Sequence, residues 1–191
     1  MPFADQQYAG ETFSSISLTG EAYLDKEFEK CIFDTCSLIG CEFKECKFTD
    51  CTFTGSLLSA LKLPGCTFVD TVFKESKVMG MDWSRVAKMR NIQFLHCELS
   101  QSNFSFMKLP HLVMHNCTVK ESYITDCDCT DADFEGTDFA RTIFSRANLT
   151  NANFKGATNY GIDFQNNTLK KTKFSLPEAV SLLNALDIIL E

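Results

Sequence analysis

The chain has no apolar run near the roughly 18 residues a helical membrane span requires, so none is expected. Its opening, Met1-Pro2-Phe3-Ala4 followed by Asp5, Gln6 and Gln7, lacks the apolar core of a secretory leader, and a cytoplasmic setting is the expectation. No glycine-rich phosphate loop is present, which removes the common nucleotide-binding motifs. Histidine is scarce: His96, His111 and His115 are the three. His111 and His115 lie near Cys117, but the register described below turns them outward and the thiol inward, so no tetrahedral metal set is expected. Buried thiols without a cationic neighbour are poor nucleophiles. The residues therefore predict no catalytic group, no cofactor and no metal, and the protein is expected not to be an enzyme. A basic surplus is also missing. With 25 Asp and Glu against 18 Lys and Arg, the net charge of −7 argues against a nucleic-acid ligand and mildly favours a basic partner.

What is present is a period. A large apolar residue recurs every five positions from Phe3 through Tyr8, Phe13 and onward to Trp83, fails at Lys88, and resumes at Phe94 to run to Phe174, with Asn159 the one clearly polar break. A helix turns about 100° per residue, so five-residue spacing sprays around its axis. A strand alternates faces, so odd spacing sends successive residues to opposite sides. Neither buries this pattern. A chain that turns a corner every five residues does, with one large side chain per side pointing inward. Like residues recur at 20: Phe13, Phe33, Phe53 and Phe73; then Leu18, Leu38, Leu58 and Val78. Four sides per coil follow, and repetition on this scale means a solenoid.

Two residues before each large one stands a small one: Cys31, Cys36, Cys41, Cys46, Cys51, Ser56 and Cys66 early on, Ala132, Thr137, Thr142, Ala147 and Ala152 later. Nine of the ten cysteines occupy this slot, and Cys129 takes a large one. Buried core filler explains all ten. Cys31 and Cys51, one coil apart, have parallel rather than facing side chains, so free thiols are expected.

Two irregularities interrupt the rod. Residues 84–93 carry one extra residue with Arg85, Lys88 and Arg90, read as a bulged corner. Asn159-Tyr160-Gly161 is a turn-type tripeptide. Domain assignment is residues 1–174 for the repeat and 175–191 for a capping and dimerisation segment. In that tail Ser175 and Glu178 have capping-box spacing, with Pro177 in the first turn, which predicts a helix from about Leu176 to Leu186. One apolar stripe holds Ala179, Leu183, Leu186 and Leu190; the other holds Leu182, Leu186 and Ile189. One stripe can plug the coil end, leaving the other for a homodimer, with Leu182, Leu183, Leu186 and Ile189 as the interface.

Acidic residues concentrate in residues 121–140, which hold Glu121, Asp126, Asp128, Asp131, Asp133, Glu135 and Asp138 and no base. Carrying the 20-residue register across the insertion aligns Asp25 and Glu45 with Asp126, and Asp50 and Asp70 with Asp131. Asp25, Glu45, Asp50, Asp70, Asp126, Asp128, Asp131, Asp133 and Glu135 are the candidate partner-binding residues.

The small–polar–large–polar–polar pattern, as in Ala132-Asp133-Phe134-Glu135-Gly136 and Ala147-Asn148-Leu149-Thr150-Asn151, resembles the pentapeptide repeat over roughly residues 11–174. The resemblance implies an all-β, right-handed quadrilateral β-helix, here with a short C-terminal α-helix. Within that family, the Met79-Gly80-Met81-Asp82-Trp83 segment and the tail from Ser175 to Ile188 resemble the group that acts on type II topoisomerases: the Qnr quinolone-resistance proteins, MfpA, and the self-protection proteins of microcin B17 and albicidin producers. That resemblance implies an acidic dimeric rod that imitates duplex DNA, binds DNA gyrase or topoisomerase IV, and protects against a topoisomerase-targeting antibiotic. Eight coils at about 4.8 Å span about 40 Å. Duplex DNA of that length carries roughly 23 charges. At net −7, mimicry has to rest on a local stripe and on shape. The alternative is a scaffold or protein-interaction module with no topoisomerase role, because a shared fold does not define a function.

Overall fold

The computed structural model describes residues 2–186 and 188; Ile189 and Leu190, assigned above to the tail stripes, lie outside the described residues. The chain winds as a parallel four-sided solenoid of about eight coils. Its sides are strands of two or three residues or single bridges, each paired with the side one coil away. One wall runs Thr12–Ser14, Ile32–Asp34, Thr52–Thr54, Val72–Lys74, Gln93–Leu95, Val113–His115. The next wall back runs Gln7–Ala9, Glu27–Glu29, Lys47–Thr49, Thr67–Val69, Lys88–Arg90. The other two walls begin with Ser17–Thr19 on Ser37–Ile39 and Ala22–Leu24 on Glu42–Lys44.

The middle residue of each strand points inward, so the register stacks like on like. Phe13, Phe33, Phe53, Phe73 and Phe94 form one column, with successive ring centroids 5.1, 4.4, 4.9 and 4.9 Å apart and rings near parallel. Each ring buried in this way contributes about 1.5–3 kcal/mol. At the corners the chain takes positive φ, as at Asp25 (53°), Asp50 (52°) and Asn91 (52°). The corner N–H then reaches the coil below, Asp25 N–H to Lys44 O at 2.9 Å for example.

The small inward slot has a bonding role as well as a size limit. Cys36 Sγ donates to Phe13 O one coil up (3.2 Å). Ser56 Oγ, one coil down, donates to Phe33 O (3.2 Å) and to Thr54 O (3.0 Å). All ten cysteines are free and buried. Burial pushes the Cys51 thiol up to about 12.

The extra residue sits between Trp83 and Lys88. Thr67 pairs with Lys88 and Phe68 with Met89, so the register is 21 here, and the apolar series resumes at Met89 rather than Phe94. Ala87 N–H (2.8 Å) and Lys88 N–H (3.4 Å) both face Cys66 O. Two residues opposite one is the geometry of a bulge. At the other irregularity Asn159 is exposed at a corner and Tyr160 enters the core instead. Ile143 then pairs with Gly161, a register of 18. Residues 163–167 restore the count, and the Asn167 amide closes the detour by donating to Phe144 O (3.2 Å) and Asp163 O (2.8 Å). Phe164, expected inward, is thereby left 39% exposed.

Both ends are plugged. Phe3 folds across the first coil with φ 64° and packs its ring on Phe13, Tyr23 and Phe28 at 5.1–5.4 Å. At the other end the predicted α-helix is a 3-10 helix, Glu178–Ala185. The capping box does not form, because its side chains are taken by the preceding coil. Ser175 Oγ accepts from Gly156 N–H (2.9 Å) and Glu178 Oε1 from Asn159 N–H (2.6 Å). Leu182 packs on the core as the plug.

Candidate protein-binding surface

The corner columns place the proposed acidic residues on two edges of one wall. Asp25 and Glu45 stack on one edge; Asp50 and Asp70 stack on the other. The fold brings these four together near the start of the rod, while Asp126, Asp128, Asp131, Asp133 and Glu135 gather near its far end. The first group is loosely held. Asp25 accepts only from the Gln6 amide (3.0 Å), Glu45 lies 3.9 Å from Lys44, and Asp50 has no partner among the described residues. Asp70 is more committed, accepting from Asn91 Nδ2 at 2.6 Å with Arg90 at 3.5 Å.

The far group is largely built into the frame. Asp128 accepts from Thr130 N–H (3.2 Å) and Oγ1 (2.6 Å), and Asp133 accepts from Glu135 N–H (3.2 Å). A side-chain oxygen bonded to the N–H two residues on is an Asx turn. That is the physical reason for Asp or Asn before the large residue. The coil below adds amides: Asn148 to Asp128 (3.2 Å), Asn151 to Asp131 (2.9 Å), Asn153 to Asp133 (2.9 Å).

Neighbouring coils also neutralise this one. Arg146 forks onto Asp126 through two bonds of 2.7 and 2.6 Å, and that pairing holds the carboxyl below its ordinary range. Arg141 does the same to Glu121 from 2.5 Å. Burial raises the Asp133 pKa, but the His115 imidazole 2.9 Å away and bonds from Asn153 and the Glu135 N–H outweigh it and hold the group low. Lys120 pairs with Asp138 at 3.0 Å. Asp131 and Glu135 are the exposed members without an ionic partner among the described residues. These pairings were visible in principle: every one but Asp138 with Lys120 and Asp133 with His115 joins residues 20 apart, so a count by column finds what a count by coil misses.

Two surface features escaped the sequence reading. Between the acidic groups lies a basic band: residues 51–120 hold Asp70, Glu75, Asp82 and Glu98 against Lys62, Lys74, Lys77, Arg85, Lys88, Arg90, Lys108 and Lys120, a net of +4 by subtraction. The second is an exposed aromatic at a strained corner, Phe106, with φ 65° and 74% exposure. In the tail, Leu176, Val180, Leu183 and Leu186 are exposed while Leu182 is turned to the core. Among the described residues no three His, Cys, Asp or Glu side chains converge as a metal set, and no helix is long and apolar enough to cross a membrane.

Sequence models of this architecture match two stretches, "pentapeptide repeat region" over residues 26–104 and "pentapeptide repeats (8 copies)" over residues 125–158. The chain belongs to the pentapeptide repeat family. Among solved structures it is similar to a trypsin-treated variant of QnrB1, a plasmid-mediated fluoroquinolone resistance protein, with 19% identity, 97% of this chain and 98% of that chain covered, and a TM-score of 0.51. It is also similar to HetL, a pentapeptide repeat protein involved in heterocyst differentiation regulation from the cyanobacterium Nostoc sp. strain PCC 7120, with 12% identity, 87% and 81% covered, and a TM-score of 0.52. At these identities the likeness is one of fold. No curated protein matches the chain.

Proposed function

We propose that this protein is a non-catalytic cytoplasmic binding rod that engages a type II topoisomerase, DNA gyrase or topoisomerase IV, and protects it from an antibiotic. The observation that carries the reading is the set of loosely held carboxylates, Asp25, Glu45 and Asp50, at successive corners of a stiff rod. Exposed charge of this kind attracts a basic surface and speeds association. The likeness in fold to a fluoroquinolone resistance protein supports the choice of partner. Asp70 in the first group and Asp126 in the far group contribute through carboxylates shared with arginines, Asp131 and Glu135 extend the contact, and Asp128 and Asp133 act by shaping the turns. The exposed tail residues Leu183 and Leu186, with Ile189, hold a homodimer, and Leu182 supports them from beneath.

A supercoiling assay with purified gyrase, with and without a fluoroquinolone, tests this. Inhibition or protection that falls with salt is expected. No effect at a large molar excess favours the scaffold reading. One observation favours that second reading: a basic band divides the acidic surface, so no unbroken DNA-like stripe runs along the rod.

A further inference from the structure

The bulge sets Arg85 and Lys88 on the corner that follows the Trp83 side, and one coil on, the same corner carries Phe106 and then Lys108. All four are exposed, and Arg85, Lys88 and Lys108 make no ion pair among the described residues. The aspartates that border them are committed elsewhere. Asp70 bonds Asn91 and faces Arg90; Asp82 accepts from Ser84 (2.6 Å) and Asn103 (3.0 Å). Asp126 is forked by Arg146, and Asp128 is held by Thr130 and Asn148. Three cations without an ion pair among the described residues therefore share this corner with one exposed ring, Arg85 lining a cleft with Glu42. Phe106 does nothing for the core, and a bulky residue at positive φ costs stability that glycine would not.

We propose that this corner is a docking site for an acidic segment of a partner protein that carries an apolar anchor, the anchor resting on Phe106 and the carboxylates on Arg85, Lys88 and Lys108. Charge complementarity selects the partner's sign. The patch spans about two coils, or about 10 Å, and the acidic coil of residues 121–140 follows it directly. A long polyanion lying along the rod meets repulsion beyond the patch, so a short acidic segment fits better than duplex DNA. This site borders the carboxylates of the topoisomerase reading but uses none of them, and it stands or falls without that reading.

The test is fluorescence anisotropy with a fluorescein-labelled peptide of about twelve residues, Asp and Glu around a central Leu-Phe pair, titrated with the full chain. Saturable, salt-sensitive binding is expected. Arg85→Glu with Lys88→Glu should weaken it at least about tenfold, and Phe106→Ser about three- to tenfold. Phe106→Gly should weaken binding by the same roughly three- to tenfold while raising Tm by about 2–4 °C, since it relieves the corner. The proposal is overturned if no saturable binding occurs below about 1 mM, the weak end of specific affinity. It is overturned equally if the charge reversals leave binding unchanged, if a short DNA duplex displaces the peptide, or if Phe106→Gly lowers Tm, which makes the ring structural.

Discussion

The coils around residues 31–56 and those around residues 127–157 turn the same corners with a different balance of bonds, although Cys127 and Thr137 in the late coils still donate inward, to Phe104 O and Met114 O (both 2.6 Å). In the early coils the bond that steadies the corner comes from inside: Cys36 and Ser56 donate from the small slot to carbonyls of their own coil and the coil above. In the late coils alanine fills several of those slots, and the steadying bond comes from outside, from Asp128, Asp133, Asn148 and Asn153 to the N–H two residues on. The late corners also close with backbone bonds such as Ala152 N–H to Leu149 O at 3.0 Å and Ala157 N–H to Phe154 O at 3.1 Å. The difference teaches that an outward aspartate means different things in the two regions. Early in the rod it is surface charge; late in the rod it is often part of the frame.

Substitutions separate the shared core from the two corner chemistries. Phe73→Ala empties the stacked column and should cost about 3–5 kcal/mol in chemical denaturation, more than any corner change. Asp133→Ala should cost about 1–3 kcal/mol because it removes a charged acceptor of several bonds, whereas Asp133→Asn keeps an acceptor and should cost less. Equal losses for the two would mean that charge, not the turn bond, matters there. Cys36→Ser should cost under about 1 kcal/mol, since Ser56 already makes the same pair of bonds one coil below. Asp50→Asn should stay within about 0.5 kcal/mol.

The pH dependence should divide along the same line. Asp126 and Asp133 have lowered folded pKa values, so their stabilisation is present above the ordinary carboxylate range of about 4 and is lost as pH falls through the folded values. Cys51 has a raised folded value of about 12, so its contribution is present below the ordinary thiol range of about 8.5 and is lost as pH climbs toward 12. Thermal melts across pH should show Asp126→Asn flattening only the acid arm and Cys51→Ser only the alkaline arm.

Much of the solenoid was legible because side-chain size alone decides which of five positions faces in. Phe33, Cys36 and Leu38 carry that rule on their own, whatever their neighbours do. The exceptions share a physical cause, a partner about one coil away. Ser175 and Glu178 read as a helix cap by local spacing, yet their bonds go to Gly156 and Asn159. Asn159 read as a break in the core, yet it is held at a corner by Glu178 (2.6 Å) and Asp138 (2.7 Å), each about one coil away, and Tyr160 supplies the ring. The acids of residues 121–140 read as a free patch because Arg141, Arg146 and Lys120 lie just outside that window. For the partner surface, composition revealed the charge but not which carboxylates were already engaged.

The central claim, that the early carboxylates bind and the late ones build, is tested most directly by neutralising each set and measuring both gyrase affinity and Tm. Asp25→Asn with Glu45→Gln and Asp50→Asn should weaken gyrase binding, chiefly through the association rate, and leave Tm within about 2 °C. Asp128→Ala with Asp133→Ala should lower Tm by about 4 °C or more, with affinity at a temperature where the variant is folded close to that of the wild type. The reverse pattern, with binding lost from the late set and Tm lost from the early one, would contradict the account.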